Sequence, residues 1–351
     1  MAEMTNKRSR IKYISVLNAL ACFAVVMLHS NGAFWTYSTD SYWVSADFIE
    51  SFMYFAVPVF FMISGTTLID YRDKYSTREY FKKRIEKTLI PFIAWSVIGA
   101  FYQYYAGRLH IDWTVEGVKT LIAGMMNTHV ITVYWFFIYL FSIYLCIPPL
   151  AAIPKTIRKE VFKYCAAVSF LLQILAPFIC NITKFNYGNG VTFFIGEGYM
   201  FYIFAGWLIK EHEFTKKEYA VTYVLGIIGF LLHFLGTYLE SAKAGCIVQS
   251  YKGYTNLPAV LYSIAVFVLV KQLSEKINEN GRAYKLICRF AGYTFAIYLI
   301  HWFILDLMTK VLNLDKFLLC YRIGMPFIVI PLCIILAFLL RKVPIIKRIV
   351  P

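Results

Sequence analysis

Apolar windows of roughly 20 residues, the length a helix needs to cross the hydrocarbon core of a bilayer, recur about ten times along this chain. They lie near 14–33, 51–69, 89–106, 130–150, 164–181, 192–209, 218–238, 257–271, 290–309 and 321–341, the 257–271 window being the shortest. A chain patterned in this way has few options, because a backbone in lipid must satisfy its own hydrogen bonds, and helices do so within each segment. Of the 351 residues, 60% are hydrophobic and 16% charged, whereas soluble domains carry about 25% charged residues. The expected fold class is therefore all-α: a polytopic transmembrane helical bundle of about ten membrane helices.

Cytoplasmic loops of such a bundle should hold the excess of Lys and Arg. Of the 35 present, 27 fall in the alternate segments 1–13, 70–88, 151–163, 210–217, 271–289 and 341–351. The other eight, Arg108, Lys119, Lys184, Lys243, Lys252, Lys310, Lys316 and Arg322, fall between them. This bias places both termini in the cytoplasm. It divides the chain into a basic cytoplasmic segment (1–13, with Lys7, Arg8, Arg10 and Lys12), one membrane domain (14–341) and a basic cytoplasmic tail (342–351). The net charge of +15 follows from this topology and from attraction to anionic membrane lipid, so it gives no argument for nucleic-acid binding. The first apolar run is too long for a signal-peptide core and is expected to stay as a helix. The eight cysteines are scattered mainly through apolar runs without a CxxC pair. They read as small core hydrophobes, with neither a disulfide framework nor a metal site indicated.

No linker, low-complexity stretch or internal repeat interrupts the chain, so any chemistry must occur in the bundle. The longer loops are expected at 34–50, 107–129, 182–191, 239–256 and 272–289, with a polar stretch at 38–45. Within 107–129, Val115, Val118, Ile122 and Met125 recur at steps of 3, 4 and 3, with Asp112 or Thr114 available to cap. That spacing predicts a short amphipathic surface helix, either roofing an outward-facing cavity or resting in the interface.

Ionisable groups at membrane depth are functional candidates by default. His29 ends an apolar run, and a neutral imidazole can take a proton from a hydroxyl and return it; the alternative is a histidine that only glues helices together. His301 carries the same two readings, and His233, in a uniformly apolar segment, favours packing. Arg72, Lys74, Arg78, Lys82, Lys83, Arg84 and Lys87 make 70–88 the densest basic cluster. Lys83, Arg84 and Lys87, three or four apart on one helical face leading into Pro91, suit a phosphate-rich cytosolic ligand such as coenzyme A, although positive-inside bias also explains a basic loop here. Ser64 and Gly65 in FFMISG read as a close-packing pair. Tyr134 and Trp135 read as interface aromatics, with stacking on a sugar as the alternative for Trp135. Glu197 can orient an imidazole or bind an acceptor hydroxyl, or be a solvated loop carboxylate.

Several stretches together resemble the acyltransferase-3 family of bacterial membrane O-acyltransferases: LNALACFAVVMLH, AVPVFFMISGTTL, YFKKRIEKTLIPFIAW, YWFFIYLFSIYLCIPPL, FYIFAGWLI and TFAIYLIHW, in the family's order and across nearly the whole chain. The resemblance implies about ten membrane helices and transfer of an acyl group, usually acetyl, from cytosolic acyl-CoA to a hydroxyl of an extracytoplasmic or lipid-linked glycan. It further implies that His29 is the catalytic base and that Lys83 and Arg84 belong to the donor-binding motif; Ser64, Gly65 and His301 match further family positions. One departure stands out. Where family members usually carry Asp and Arg on the first helix, this chain has Ser15 and Asn18, a paired loss that leaves no orphan charge.

The expectation is thus an O-acyltransferase, with acetyl-CoA as donor, modifying a cell-surface polysaccharide or its lipid-linked precursor in the bacterial cytoplasmic membrane. Acyl-CoA would dock against Lys83, Arg84 and Lys87 while His29 activates the acceptor. The rival class is a transporter exporting a glycan or small carboxylate, which would be expected to show an inverted repeat or a broken helix pair. A third is a membrane sensor or partner subunit.

Overall fold

A computed structural model of the protein describes residues 12–185 and 190–351; Lys7, Arg8 and Arg10 of the basic N-terminal segment lie outside the described residues. Among the described residues the fold is helical, without strands. In chain order the helices are α1 (Lys12–Ser30), α2 (Ser41–Met53), α3 (Ala56–Leu68), α4 (Thr77–Arg84), α5 (Ile90–Tyr105), α6 (Val115–Met126), α7 (Trp135–Ala152), α8 (Lys155–Ser169), α9 (Ala176–Thr183), α10 (Met200–Glu211), α11 (Lys216–Ala244), α12 (Leu257–Glu275), α13 (Arg282–Ala291), α14 (Thr294–Val311) and α15 (Leu319–Leu340). Nine continuous or nearly continuous helical stretches among them are long and apolar enough to cross a membrane. The protein is a multi-pass membrane protein.

Local chemistry sets the boundaries. The Ser76 side chain accepts from the Glu79 amide to start α4. Thr215 and Glu218 form a reciprocal capping box at the start of α11, which satisfies two otherwise orphan donors. That helix ends at Gly245, whose φ of +67° is the left-handed conformation glycine adopts without a Cβ clash. It therefore extends six residues past the 238 boundary expected from hydropathy, into the 239–256 loop.

Polar contacts sort the chain into two ends. Lys12–Glu279, Lys155–Asp73, Arg158–Asp70 and Arg341–Gly292 gather the start of α1, the end of α15 and the segments between alternate helices at one end, the basic end. Lys252–Glu50, Arg108–Asp306, Arg322–Ser45 and Asn181–Ser250 join the remaining segments at the other, the histidine end. This is the alternation that the Lys and Arg count implies.

Two expectations need correction. The 34–50 stretch is no loop: a tight turn at Gly32–Trp35 leads into α2. Hydropathy misses α2 because it is inside out. Its buried face carries Asp47, Glu50 and Ser51 beside Trp43, Ala46 and Ile49, while Val44, Phe48 and Phe52 face outward. The crossing expected over 192–209 is made by only 12 helical residues, α10, about 18 Å long. Gly190, Gly196 and Gly198, the last at φ +64°, keep the preceding stretch irregular, and most of it, Val191, Phe194 and Ile195 included, is exposed. The short helix is held by two glycines. A Cβ on Gly65 would lie 2.1 Å from the Ile203 carbonyl oxygen, and one on Gly206 would lie 2.1 Å from that of Met62. The two backbones touch through both, as expected for small residues at a membrane helix crossing, and Thr66 Oγ1 adds a donation to the Gly206 carbonyl at 2.9 Å.

The predicted surface helix is α6, capped by Thr114, whose side chain accepts from the Gly117 amide. It rests against α5 and lines no part of the cavity described next, so it does not roof that cavity.

Candidate active site

A cavity of about 570 Å³ runs through the bundle between α1, α3, α7 and α14. Asn18, Thr88 and Thr294 line it toward the basic end; His29, Trp35, Glu50, Trp135 and Tyr254 line it toward the histidine end. Asn18 and His29 are eleven residues apart on one helix, which is about 16 Å along its axis.

His29 meets His301 in this cavity wall, although 272 residues separate them. His301 is fully buried on α14. Its Nδ1 lies 3.0 Å from the Ile297 carbonyl oxygen and 2.8 Å from that of Tyr298. Carbonyls only accept, so this nitrogen carries the proton, and in a neutral ring Nε2 then holds the lone pair. Nε2 lies 2.8 Å from His29 Nδ1, so His29 Nδ1–H donates to it. The remaining nitrogen, His29 Nε2, is left unprotonated. It has no protein partner among the described residues and belongs to a half-buried ring on the cavity wall. Chemically this is a base whose tautomer is set by two backbone carbonyls acting through a second imidazole. After His29 accepts a proton, the Nδ1–H bond to His301 becomes charge-assisted and stronger.

Other expected residues divide between the cavity and elsewhere. Trp135 lines it and stacks on Tyr254 at 5.6 Å and 19°. Tyr134 does not anchor an interface; it is buried and donates to the Leu299 carbonyl at 2.6 Å, clamping α7 to α14. Ser64 lines the cavity and donates to the Phe60 carbonyl at 3.0 Å. Glu197 is absent from it. That carboxylate is exposed and borders a separate hollow beside Ser169 and Gln173, because α10 begins only at Met200 and Tyr199 and Tyr202 fill the inward positions. His233 does not line the cavity; it is buried behind its wall, edge-on to Tyr54 at 4.6 Å.

The basic trio does not share one face. A π-turn at Ile85–Leu89 inserts an extra residue, so Lys87 is exposed while Lys83 and Arg84 are half-buried. Lys83 pairs with Glu79 at 2.5 Å and lies over Tyr75. Arg84 lies over Tyr80 and Tyr144, and Tyr144 lines the cavity. The Arg84 Nε is buried without a partner, next to the basic end of the cavity.

Glu50 and Lys252 are functional candidates that the residue pattern did not single out. They face each other at 2.5 Å. Burial pushes the Lys252 ammonium below its ordinary range, and the neighbouring Glu50 and Asp47 carboxylates oppose that shift. The only sequence signal for the pair was a basic residue, Lys252, on the side of the membrane where lysines are scarce.

Together the fold and cavity define an integral-membrane protein with a half-buried histidine whose unprotonated nitrogen opens on a space that runs toward both ends of the bundle. An acyltransferase domain family matches residues 11–341, nearly the whole chain. The chain belongs to this acyltransferase-3 family and is a membrane acyltransferase. No curated protein and no solved structure matches it significantly.

Proposed function

We propose that the protein is a membrane O-acyltransferase, in particular an O-acetyltransferase, that moves the acyl group of cytosolic acyl-CoA to a hydroxyl of a cell-surface polysaccharide or its lipid-linked precursor, in the bacterial cytoplasmic membrane. The observation that carries this reading is His29 Nε2, unprotonated and facing a cavity that also reaches Asn18. His29 takes the proton of the acceptor hydroxyl. The oxygen then bonds to the thioester carbonyl carbon, the carbon–sulfur bond breaks, and the imidazolium returns its proton to the departing thiolate. The products are an ester and free coenzyme A, with no other reactant required. General-base help of this kind is worth roughly 10²–10⁴ in rate.

On this reading the basic end is cytoplasmic, and the nucleotide phosphates of the donor meet Lys83, Arg84 and Lys87 there. The partnerless Nε of Arg84 and the length of cavity between Asn18 and His29 fit a donor whose charged head stays at the surface while a thin pantetheine arm reaches inward. Asn18, which donates to the Ile14 carbonyl at 2.9 Å, leaves that passage uncharged at the first helix. The test is transfer of label from carbon-14 acetyl-CoA into base-labile ester on surface glycan, in membranes holding wild type or His29→Ala at equal abundance. Label dependent on His29 is the expected result. Wild-type membranes that label no more than empty ones would sink the assignment.

A further inference from the structure

Acyl transfer as written above uses His29 and His301 and leaves unexplained the ion pair at the other side of the cavity mouth. Glu50 and Lys252 are 4% and 5% exposed. Burying such a pair is expensive, and an apolar pair of similar size is often as stable or more so, so packing alone is a weak reason for it. Its geometry is one-sided. Lys252 Nζ donates to Glu50 Oε1 at 2.5 Å and sits over three rings, Tyr54 at 3.9 Å, Phe34 at 4.7 Å and Trp35 at 5.2 Å. An ammonium caged in this way has nowhere else to go, and it holds the Glu50 carboxylate still. Oε2 of that carboxylate has no protein partner among the described residues, and Glu50 lines the same cavity as His29. Asp47, one turn earlier on the buried face of α2, adds a second buried acidic group.

The walls beside Glu50 are flat and aromatic. Tyr54 and Tyr254 stack at 4.1 Å and 9°, and Trp135 stacks on the other side of Tyr254. Tyr202 fixes this stack by donating to the Tyr254 carbonyl. A sugar ring has apolar C–H faces that lie on aromatic rings and an equator of hydroxyl donors that need acceptors. A fixed, half-satisfied carboxylate between such rings supplies the acceptor, because a site built to hydrogen-bond a hydroxyl discriminates strongly.

Resting on the acyl-transfer reading, we propose that Glu50, held by Lys252, is the acceptor-specificity residue: it accepts hydrogen bonds from hydroxyls of a neutral sugar ring and rejects rings that bring a carboxylate or phosphate to that position. Lys252 is a positioning residue that acts through Glu50.

The test uses the full-length protein reconstituted in lipid, with labelled acetyl-CoA and surface glycan of the producing cells separated by anion exchange into neutral and anionic pools. Wild type should label the neutral pool. Glu50→Gln should raise the KM for that pool by about tenfold or more, the scale of one lost charge-assisted hydrogen bond, and leave the KM for acetyl-CoA within twofold. Because Glu50→Gln leaves a buried ammonium unpaired, the doubly neutral Glu50→Gln/Lys252→Met variant is measured beside it and should show the same split. Wild-type label concentrated in the anionic pool, or an unchanged glycan KM in a folded variant, overturns the assignment of Glu50 while leaving acyl transfer standing. No label in either pool overturns acyl transfer and this proposal together.

Discussion

Two polar groups, one at each end of the bundle, differ in how completely their atoms are used. At the basic end, Asp70 accepts from Arg158 at 2.8 Å, from Lys210 at 2.6 Å and from Trp207 at 3.3 Å. Arg158 also donates from Nε and Nη2 to the carbonyls of Ala151 and Ile153. Both carboxylate oxygens and all three guanidinium nitrogens are engaged by protein, and the result joins α3, α8 and α10 without lining the large cavity. At the histidine end, His29 and Glu50 each have one oxygen or nitrogen engaged and one open to the cavity. Saturation marks a structural joint. An atom left open beside a firmly held one marks a place for a ligand, since leaving a buried polar group unmet is otherwise costly.

The sharpest way to break this comparison is at the open nitrogen. His29→Ala should lower transfer by roughly 10²–10⁴-fold with normal membrane insertion, measured as labelled ester per mole of inserted protein; an activity loss of less than tenfold would make the pair a joint like the one at Asp70. Next is the group behind it. His301→Leu removes the acceptor of the His29 Nδ1 proton and should reduce kcat by roughly 10–100-fold, by analogy with the loss of the outer partner of a metal-bound histidine. Its kcat–pH profile should shift, whereas a purely structural change would alter only the amount of folded protein, and His301→Gln, which keeps an acceptor, should restore part of the rate.

The structural joint predicts the opposite pattern. Asp70→Asn leaves Arg158 and Lys210 short of their counter-charge and should cost about 3 kcal/mol, the low end for breaking a buried pair, read as a lower melting temperature in detergent. The kcat per folded molecule should stay within twofold. Gly65→Ala should cost about 1–3 kcal/mol by overpacking, because the obstacle is the Ile203 backbone at 2.1 Å and no rotamer change relieves it; a melting temperature equal to wild type would mean that α3 and α10 separate easily.

The smallest effect lies on the surface. The amide and hydroxyl of Thr114 hold the Asp112 carboxyl below its ordinary range. A depressed carboxyl stabilises the folded turn above its unfolded pKa, about 4, and loses that contribution as pH falls through the lower folded value. The protection of the Thr114 and Gly117 amides, measured as exchange relative to the intrinsic rate at each pH, should therefore fall below about pH 4, and Asp112→Asn should flatten that dependence.

Much of this molecule was legible beforehand, and the limits have physical causes. Alternating lysines and long apolar windows are local properties, so the crossings, the two-sided arrangement and the capped helix α6 could be read directly. Polar residues on the inner face of α2 defeated the same logic, because hydropathy assumes that polar means exposed, and so the helix that carries Glu50 read as a loop. The face expected for Lys83, Arg84 and Lys87 failed for a related reason: a regular 3.6-residue period cannot foresee a π-turn that moves Lys87 to the surface. Glu197 shows the reverse error, a carboxylate near the right boundary whose irregular backbone turns it outward.

The amino-acid sequence by itself determined that this protein crosses the membrane many times, that it belongs to the acyltransferase-3 family, and that His29 is a titratable group in an apolar helix. Only the tertiary structure decided which nitrogen of His29 is free. That follows from carbonyls on α14 acting through His301, 272 residues away, and the pairing with Lys252 across 202 residues likewise decided which oxygen of Glu50 is open. Hydropathy and charge bias are sums over neighbours in the chain. A tautomer and an unshared carboxylate oxygen depend on which donors and acceptors distant helices bring within 3 Å of each other, and no local pattern encodes that.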